Sequence, residues 1–183
     1  MNKLVIVING RGGVGKDTLC DFVAKKYSTM NISSIDDIKK IASEFGWDGV
    51  KDEKGRKLLS DIKNALISYN PDYCNDRLID LLKDFYVSNH DIMFVHIREP
   101  KEIEKFELAA KKVHTIGNNV KIIDILIKRE EIDAGKGYYG NSADDNVWNY
   151  DYDYIYHNNF PLDMAEEDFL YFLATIYADE FAM

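Results

Sequence analysis

The stretch Gly10-Arg11-Gly12-Gly13-Val14-Gly15-Lys16-Asp17-Thr18 constrains this chain more than any other. A glycine is followed by four residues and then by Gly15-Lys16. Backbone N–H groups of such a turn can converge on phosphate oxygens, and a helix N-terminus behind them adds partial positive charge. Gly12, Gly13 and Gly15 are expected to take positive φ and to let the backbone approach a ligand with no Cβ in the way. Lys16 would reach the β and γ phosphates of a bound nucleotide.

The flanking sequence agrees with that reading. Leu4-Val5-Ile6-Val7-Ile8 is a continuous apolar run, expected to be a strand buried on both faces. Leu19, Phe22 and Val23 then fall at helical spacing, so a helix is expected over 15–28. Glycine-x4-glycine-lysine alone arises by chance in about one chain in twenty of this length. A buried strand before it and a helix after it make it a P-loop. Where that motif usually has Ser or Thr after the lysine, this chain has Asp17, with Thr18 one place later. A carboxylate there can hold Mg²⁺ directly or through water. It also suits the first turn of a helix on dipole grounds.

Net charge is −9 and the sequence pI is about 4.9. A general nucleic-acid surface wants a basic face, so a nucleic-acid polymer is not expected as a partner. An anionic substrate would be repelled at long range, and its phosphates must be met by local cations. The arginines are Arg11, Arg56, Arg77, Arg98 and Arg129. Cys20 and Cys74 show neither metal nor disulfide spacing, which suits a reduced, cytoplasmic chain. No apolar run is long enough to span a membrane, and the chain enters a strand at once, with no signal peptide expected.

After Met30-to-Ser33, a short strand, Ile38, Ile41, Ala42 and Phe45 recur at helical spacing until Gly46-Trp47-Asp48-Gly49 stops them. Helices are expected over 54–69, with Leu58, Leu59, Ile62, Ala65 and Leu66 on one face, and over 73–88. Asp91 to Ile97 is the third strand, followed by Arg98-Glu99-Pro100 and a helix to about 112. Lys121 to Ile127 is the fourth strand, Tyr152 to His157 the fifth, and 162–181 the last helix. Between the last two strands, 129–147 is polar and glycine-rich, with a short helical turn near 142–147. Strands alternating with helices give a parallel sheet covered on both faces, with ligands at the carboxyl ends of the strands. Those ends carry the P-loop, Ser33 to Asp36, His96-Arg98-Glu99, Lys128-Arg129 and Asn158-Asn159.

On these residues the chain resembles a nucleoside monophosphate kinase, and more narrowly the deoxynucleoside monophosphate kinase-like branch of P-loop kinases. The resemblance rests on Gly15-Lys16-Asp17-Thr18 with Asp21-Phe22, and on Ser33-Ser34-Ile35-Asp36-Asp37-Ile38-Lys39 after the second strand. It continues in Trp47-Asp48-Gly49 with Lys51-to-Arg56, in Ile97-Arg98-Glu99-Pro100 with Glu102-Ile103, and in Asn158-Asn159. It implies a three-layer α/β P-loop NTPase fold, adenylate kinase-like, with a five-stranded parallel sheet. One domain over 1–183 would have its core at about 1–28 and 90–183, a substrate-side helical segment at about 34–88, and a short lid at about 129–147.

The implied activity is ATP-dependent phosphoryl transfer to a nucleoside or deoxynucleoside monophosphate, by a monomer or homodimer, with ATP and Mg²⁺ as cofactors. The resemblance gives Gly10, Arg11, Gly12, Gly13, Val14, Gly15, Lys16, Asp17, Thr18 and Asn158 to ATP, and Asp17 and Thr18 to the metal. It gives Ser33, Asp36, Arg56 and Arg98 to the acceptor, and Lys16, Arg98 and Arg129 to the transfer itself. Two features depart from the family: His96 stands where many P-loop proteins have a metal-organising acid, and Lys136 is the sole cation of the lid after Arg129. A nucleotide-binding regulatory protein without kinase activity, or a kinase of another phosphorylated metabolite, is the alternative.

Tyr150, Tyr152, Tyr154 and Tyr156 alternate as packing residues of a strand would, a simpler account than a stacking platform for bases. His96 is expected to be a hydrogen-bonded strand-end histidine rather than a proton shuttle or metal partner. Ser142-Ala143-Asp144-Asp145 approximates a capping box, which suits Asp144 and Asp145 better than metal binding.

Overall fold

Residues 2–113, 120–135 and 146–182 are described by the structure, a computed structural model of the 183-residue chain. The elements run β1 (Lys3–Asn9), α1 (Lys16–Ala24), β2 (Thr29–Ser33), α2 (Asp36–Glu44), α3 (Glu53–Tyr69), α4 (Tyr73–Val87) and β3 (Ile92–His96). They continue with α5 (Pro100–Val113), β4 (Val120–Lys128), α6 (Glu130–Gly135), β5 (Tyr154–His157) and α7 (Leu162–Phe181). The strands form one five-stranded, all-parallel sheet in the order β2-β3-β1-β4-β5.

The side-chain alternation of β1 builds the two faces. Leu4, Ile6 and Ile8 join Leu19 and Val23 of α1 and Phe169, Leu173 and Ile176 of α7. Val5 and Val7 point the other way, to Leu82 and Phe85 of α4 and Ile103, Phe106 and Ala110 of α5. Each fully buried aliphatic or aromatic side chain is worth about 1.5–3 kcal/mol relative to exposure, so β1 anchors both layers. A third cluster of Ile38, Ala42, Leu59 and Cys74 ties α2 and α3 to the start of α4.

Register then levels the carboxyl ends of the strands. Ile8 pairs with His96, and His96 with Ser33. Asn9 pairs with Leu126 on the other side, and Lys128 with His157. The expected arrangement of sheet and helices is therefore present, but several boundaries move. α1 ends at Ala24, not at 28, because Ser28 and Asp91 exchange hydrogen bonds (Asp91 N–H to Ser28 O at 2.8 Å, Ser28 N–H to Asp91 Oδ2 at 3.2 Å) that draw the chain into β2. β5 starts at Tyr154, not at 152. There the Asp153 N–H donates to Asp124 Oδ1 at 2.8 Å and the Asp124 N–H to Asp153 Oδ2 at 3.1 Å, so carboxylates replace ladder partners.

Phe45, expected on the buried face of α2, is 84% exposed. The helix stops at Glu44, Gly46 takes φ 91°, and the half-buried Trp47 packs on the cluster instead. Ala65 is likewise exposed on α3, where Leu58, Ile62 and Leu66 carry the packing. Tyr150 and Tyr152 precede β5 but do pack, edge-to-face with centroids 4.9 Å apart and against the α4–α5 side of the sheet. Tyr154 and Tyr156 pack on the α7 side. Lys136, most of the expected lid and the Ser142-to-Asp145 segment lie outside the described residues.

The turn out of β1 is close to β4. Gly10 has φ 141°, a region open essentially to glycine, and a Cβ there would run into the Ile127 carbonyl oxygen. Gly12, in contrast, is not among the positive-φ glycines, and a Cβ on it meets nothing within 4 Å. Gly10→Ala should therefore cost about 1–3 kcal/mol of stability, and Gly12→Ala about 0.5 kcal/mol or less. Urea-unfolding midpoints of the two variants check this ordering; equal midpoints would refute it.

Candidate functional site

The loop between β1 and α1 closes on itself around a lysine. Gly13 and Gly15 take φ 89° and 95°, so positive φ falls on Gly10, Gly13 and Gly15 and not on Gly12 as expected. Val14, fully buried in the α1–α7 core, pins the loop from beneath. Lys16 opens α1, and its Nζ donates to Gly10 O at 2.6 Å and Arg11 O at 2.9 Å. The ammonium thus sits inside the loop's concavity, beside the first-turn N–H groups of α1. That is a concentration of donors and positive charge facing outward from the sheet edge.

Neighbouring strands fix the loop at both ends. Asn9 is fully buried; its Oδ1 accepts from the Gly10 N–H at 2.8 Å, and its Nδ2 donates to Arg98 O at 3.0 Å and Tyr152 Oη at 2.7 Å. Tyr152 in turn donates to Val147 O at 2.9 Å. At the far end, Asn158 Nδ2 donates to Val14 O at 2.8 Å and would meet any Cβ placed on Gly15. Asn158 is itself buried, and its N–H donates to Lys128 O at 2.8 Å. Asn158, expected to contact ATP, is thus bonded to the backbone of the loop.

The remaining expected residues divide into groups. Arg11 is 5% exposed, with its guanidinium 5.4 Å from the Trp148 ring and Nη1 donating to Asp133 O at 3.4 Å. Its side chain braces α6 and Trp148, while its carbonyl holds Lys16. Thr18, Arg129 and Asn158 line a small cleft of about 80 Å³ with Gly15, Phe160 and Leu162. Asp17 points elsewhere, 88% exposed, with Oδ1 3.9 Å from His96 Nδ1. Asp17 and Thr18, both expected at Mg²⁺, thus have different surroundings.

Ser33 and Asp36 are tied into the turn that leads into α2, whose N-cap is Ile35. Asp36 Oδ2 accepts from the Ser33 N–H at 2.6 Å, Ser33 Oγ accepts from the Ile35 N–H at 3.4 Å, and Asp36 pairs with Lys39 at 2.7 Å. They stand beside His96, whose carbonyl accepts from the Ser34 N–H at 3.2 Å. Arg98 is exposed at the end of β3. Beside it, Glu99 pairs with Lys63 of α3 at 2.7 Å. Arg56, exposed on the first turn of α3, precedes Lys63 by seven residues, about two helical turns, and so shares its face. Asn9, Lys63 and Trp148 were missed from the sequence. Only Asn9 left a signal, as a polar residue closing an otherwise apolar strand immediately before Gly10.

His96 is hydrogen-bonded, as expected, through Nε2 to Asn31 Oδ1 at 2.8 Å. Burial holds its ring at about 4, well below the ordinary value, although the Asp17 carboxylate pulls the other way. Burial thus favours the neutral imidazole, whose Nε2 also lies 3.8 Å from Cys20 Sγ. Cys20 lies nearby, and burial, reinforced by the Asp17 charge, raises its thiol far out of the reactive range.

A larger cavity, about 250 Å³, lies away from the loop among Glu107, Lys111, Asp124, Tyr150 and Asp153. Tyr150 Oη is 3.0 Å from Glu107 Oε1 and 3.2 Å from Asp124 Oδ2. Asp124 is 3% exposed. Burial, followed by its hydrogen bond with Glu107, lifts its carboxyl to about 8. The folded protein therefore keeps a proton that the unfolded chain loses near pH 4. That contribution to stability is complete below about pH 4 and fades as pH rises toward about 8, by at most about 1.4 kcal/mol per pH unit for one proton. Asp124→Asn keeps an acceptor for the Asp153 N–H and removes the titration. Its urea midpoint should fall less between pH 5 and pH 8 than the parent's; parallel pH profiles would exclude Asp124 as the source.

No protein-family model matches the sequence, and no curated protein matches it. Among solved structures, the chain is similar to the Thermus thermophilus protein TT1252, at 15% identity and a TM-score of 0.47, over 96% of this chain and 98% of that one. It is similar to a sugar kinase from Janibacter sp. HTCC2649 at 14% identity and a TM-score of 0.47, covering 95% of each chain. A third similar structure is the APS kinase of Mycobacterium tuberculosis in complex with AMPPNP and APS. The identity there is 13% and the TM-score 0.45, over 94% of this chain and 98% of that one. At TM-scores below 0.5, what this site can bind follows from its own residues.

Proposed function

We propose that this chain is an ATP-dependent phosphotransferase whose acceptor is a small phosphorylated molecule, a nucleoside or deoxynucleoside monophosphate. The observation that carries the proposal is the loop closed around Lys16 at the N-terminus of α1, with Nζ held by the Gly10 and Arg11 carbonyls. A polyphosphate entering that concavity exchanges two carbonyl partners of the ammonium for charged oxygens and gains the helix N–H groups. The Asp17 carboxylate, largely solvent-exposed beside Lys16, fits a divalent cation accompanying the phosphates. When bound, such a cation neutralises charge on the donor phosphates.

The acceptor side is assigned to the corner between β3 and α3. Arg98 leaves a strand end fixed through the Asn9 bond to its carbonyl, and the Lys63–Glu99 pair ties α3 to the same corner. Arg56 shares the Lys63 face, so Arg56 and Arg98 are both suited to grip one phosphate. A planar guanidinium gives that anion two parallel bonds where lysine gives a point charge. Arg129, in the cleft wall with Thr18 and Asn158, is placed to meet charge on the transferring group. In this proposal the sheet with α1 and α7 is the nucleotide core, and α2 to α4 present the acceptor.

Coupled ADP release over a panel of nucleoside monophosphates and other phosphorylated metabolites tests the activity and names the acceptor. Lys16→Ala should abolish the thermal stabilisation given by Mg-ATP while leaving the fold intact, even though it removes the two bonds to the Gly10 and Arg11 carbonyls. Equal stabilisation of mutant and parent would remove Lys16 from phosphate binding. Arg98→Lys should keep the ATP dissociation constant and lower kcat/KM for the acceptor by about 10- to 150-fold, the range of one charge-assisted contact of about 1.5–3 kcal/mol. If ATP affinity falls instead, the acceptor clamp is not Arg98. Nucleotide binding with no ADP release from any acceptor would leave a binding protein rather than a kinase.

A further inference from the structure

At the metal side of the loop, this chain brings together a carboxylate and an imidazole. We propose that Asp17 Oδ1 and His96 Nδ1 together hold the divalent cation of this site, and that this donor pair favours transition-metal ions such as Mn²⁺ and Co²⁺ over Mg²⁺. The proposal rests on the phosphate-binding reading of the loop and adds the identity of the ion.

The distance permits it. Two ligands, each about 2.1 Å from one ion, are separated by at most about 4.2 Å. His96 Nδ1 and Asp17 Oδ1 are 3.9 Å apart. The ring also turns the right atom to the carboxylate. Nε2 lies 2.8 Å from Asn31 Oδ1, and a hydrogen bond from Nε2 to that oxygen leaves Nδ1 able to take a metal on the Asp17 side. A ligating histidine usually has its other nitrogen hydrogen-bonded in this way, because the bond orients the ring and raises its basicity. A cation between Nδ1 and Asp17 Oδ1 would bond to both.

The two ligands differ in freedom, as a site that must load an ion requires. His96 ends β3, paired on one side with Ser33 and on the other with Ile8, and its side chain is 15% exposed. Asp17 is 88% exposed on the first turn of α1 and can move to meet the ion. Mg²⁺ demands oxygen ligands and sheds water reluctantly, whereas imidazole nitrogen suits the later divalent ions.

The test is Mn²⁺ titration followed by electron paramagnetic resonance, with the protein alone and with ADP, in the parent labelled with ¹⁵N at histidine. Nucleotide affinity is measured separately in EDTA with a fluorescent ADP. The expected result is a ¹⁵N coupling on bound Mn²⁺, present in the parent and lost in His96→Gln. Mn²⁺ affinity should fall by about 10-fold or more in His96→Gln and Asp17→Asn, and by about 10-fold in Asn31→Ala, the usual size of a supporting-residue effect. Mg²⁺ affinity should fall in Asp17→Asn and change little in His96→Gln. Because Asp17 is a surface side chain, its variant keeps the test valid if His96→Gln folds poorly. Bound Mn²⁺ without histidine coupling, or a Mn²⁺-to-Mg²⁺ preference unchanged in His96→Gln, overturns the proposal. Failure of ADP to bind in EDTA overturns the kinase reading instead, and the titration of protein alone then decides this one.

Discussion

The pairing of β1 on both edges governs everything built above it. A central parallel strand has no free ladder positions and no solvent face, so its level relative to β3 and β4 is fixed by hydrogen bonds along its whole length. That level decides where the chain may leave the sheet. Directly past Asn9 the backbone passes so close to the Ile127 carbonyl that only glycine fits at position 10. The turn is therefore determined by the sheet before any ligand is considered. Its donors converge because Val14 is drawn into the core on one side and Asn158 holds its carbonyl on the other.

Charge works against this site at long range and for it at short range. With a net charge of −9, the protein repels a phosphorylated ligand beyond the screening length of about 8 Å. Inside that distance Lys16 and the N-terminus of α1 supply local positive charge at the loop. Arg11 illustrates the division. Its guanidinium lies 5.4 Å from the Trp148 ring and donates to the Asp133 carbonyl at 3.4 Å, so this cation is tied into the loop's own support.

The sheet and most helices were legible because their signals are periodic: uninterrupted apolar runs for buried parallel strands, and 3.6-residue spacing for α2 to α5. What failed was set by contacts between distant residues. β5 was read two residues too long, since nothing local to Tyr152 reveals that Asp124 and Asp153 exchange backbone bonds there. Phe45 and Trp47 traded places because the helix stops at Glu44 before its apolar stripe is complete. In the site, the place of the loop between β1 and α1, and of Arg98 and Arg129 just past β3 and β4, followed from the order of apolar runs. The distribution of positive φ among the glycines did not, because it depends on the Ile127 carbonyl and the Asn158 amide, which lie more than a hundred residues away.

The acidic cavity and the loop are opposite uses of the same scarce resource, a buried polar group. Asp124 is buried among like charges and is accommodated by keeping its proton, at a cost that grows with pH. Asn9 is buried more completely and has no such cost: as a neutral amide it meets three partners with its one acceptor and two donors. The two are linked through the tyrosines that precede β5, with Tyr150 on the Asp124 side and Tyr152 on Asn9, their rings packed edge-to-face. That short aromatic bridge explains why the segment before β5 is ordered without being a strand. Through Asn9, the loop between β1 and α1 is also tied to Arg98 just past β3 and to Tyr152 before β5. The geometry of the loop thus depends on side chains that lie outside it.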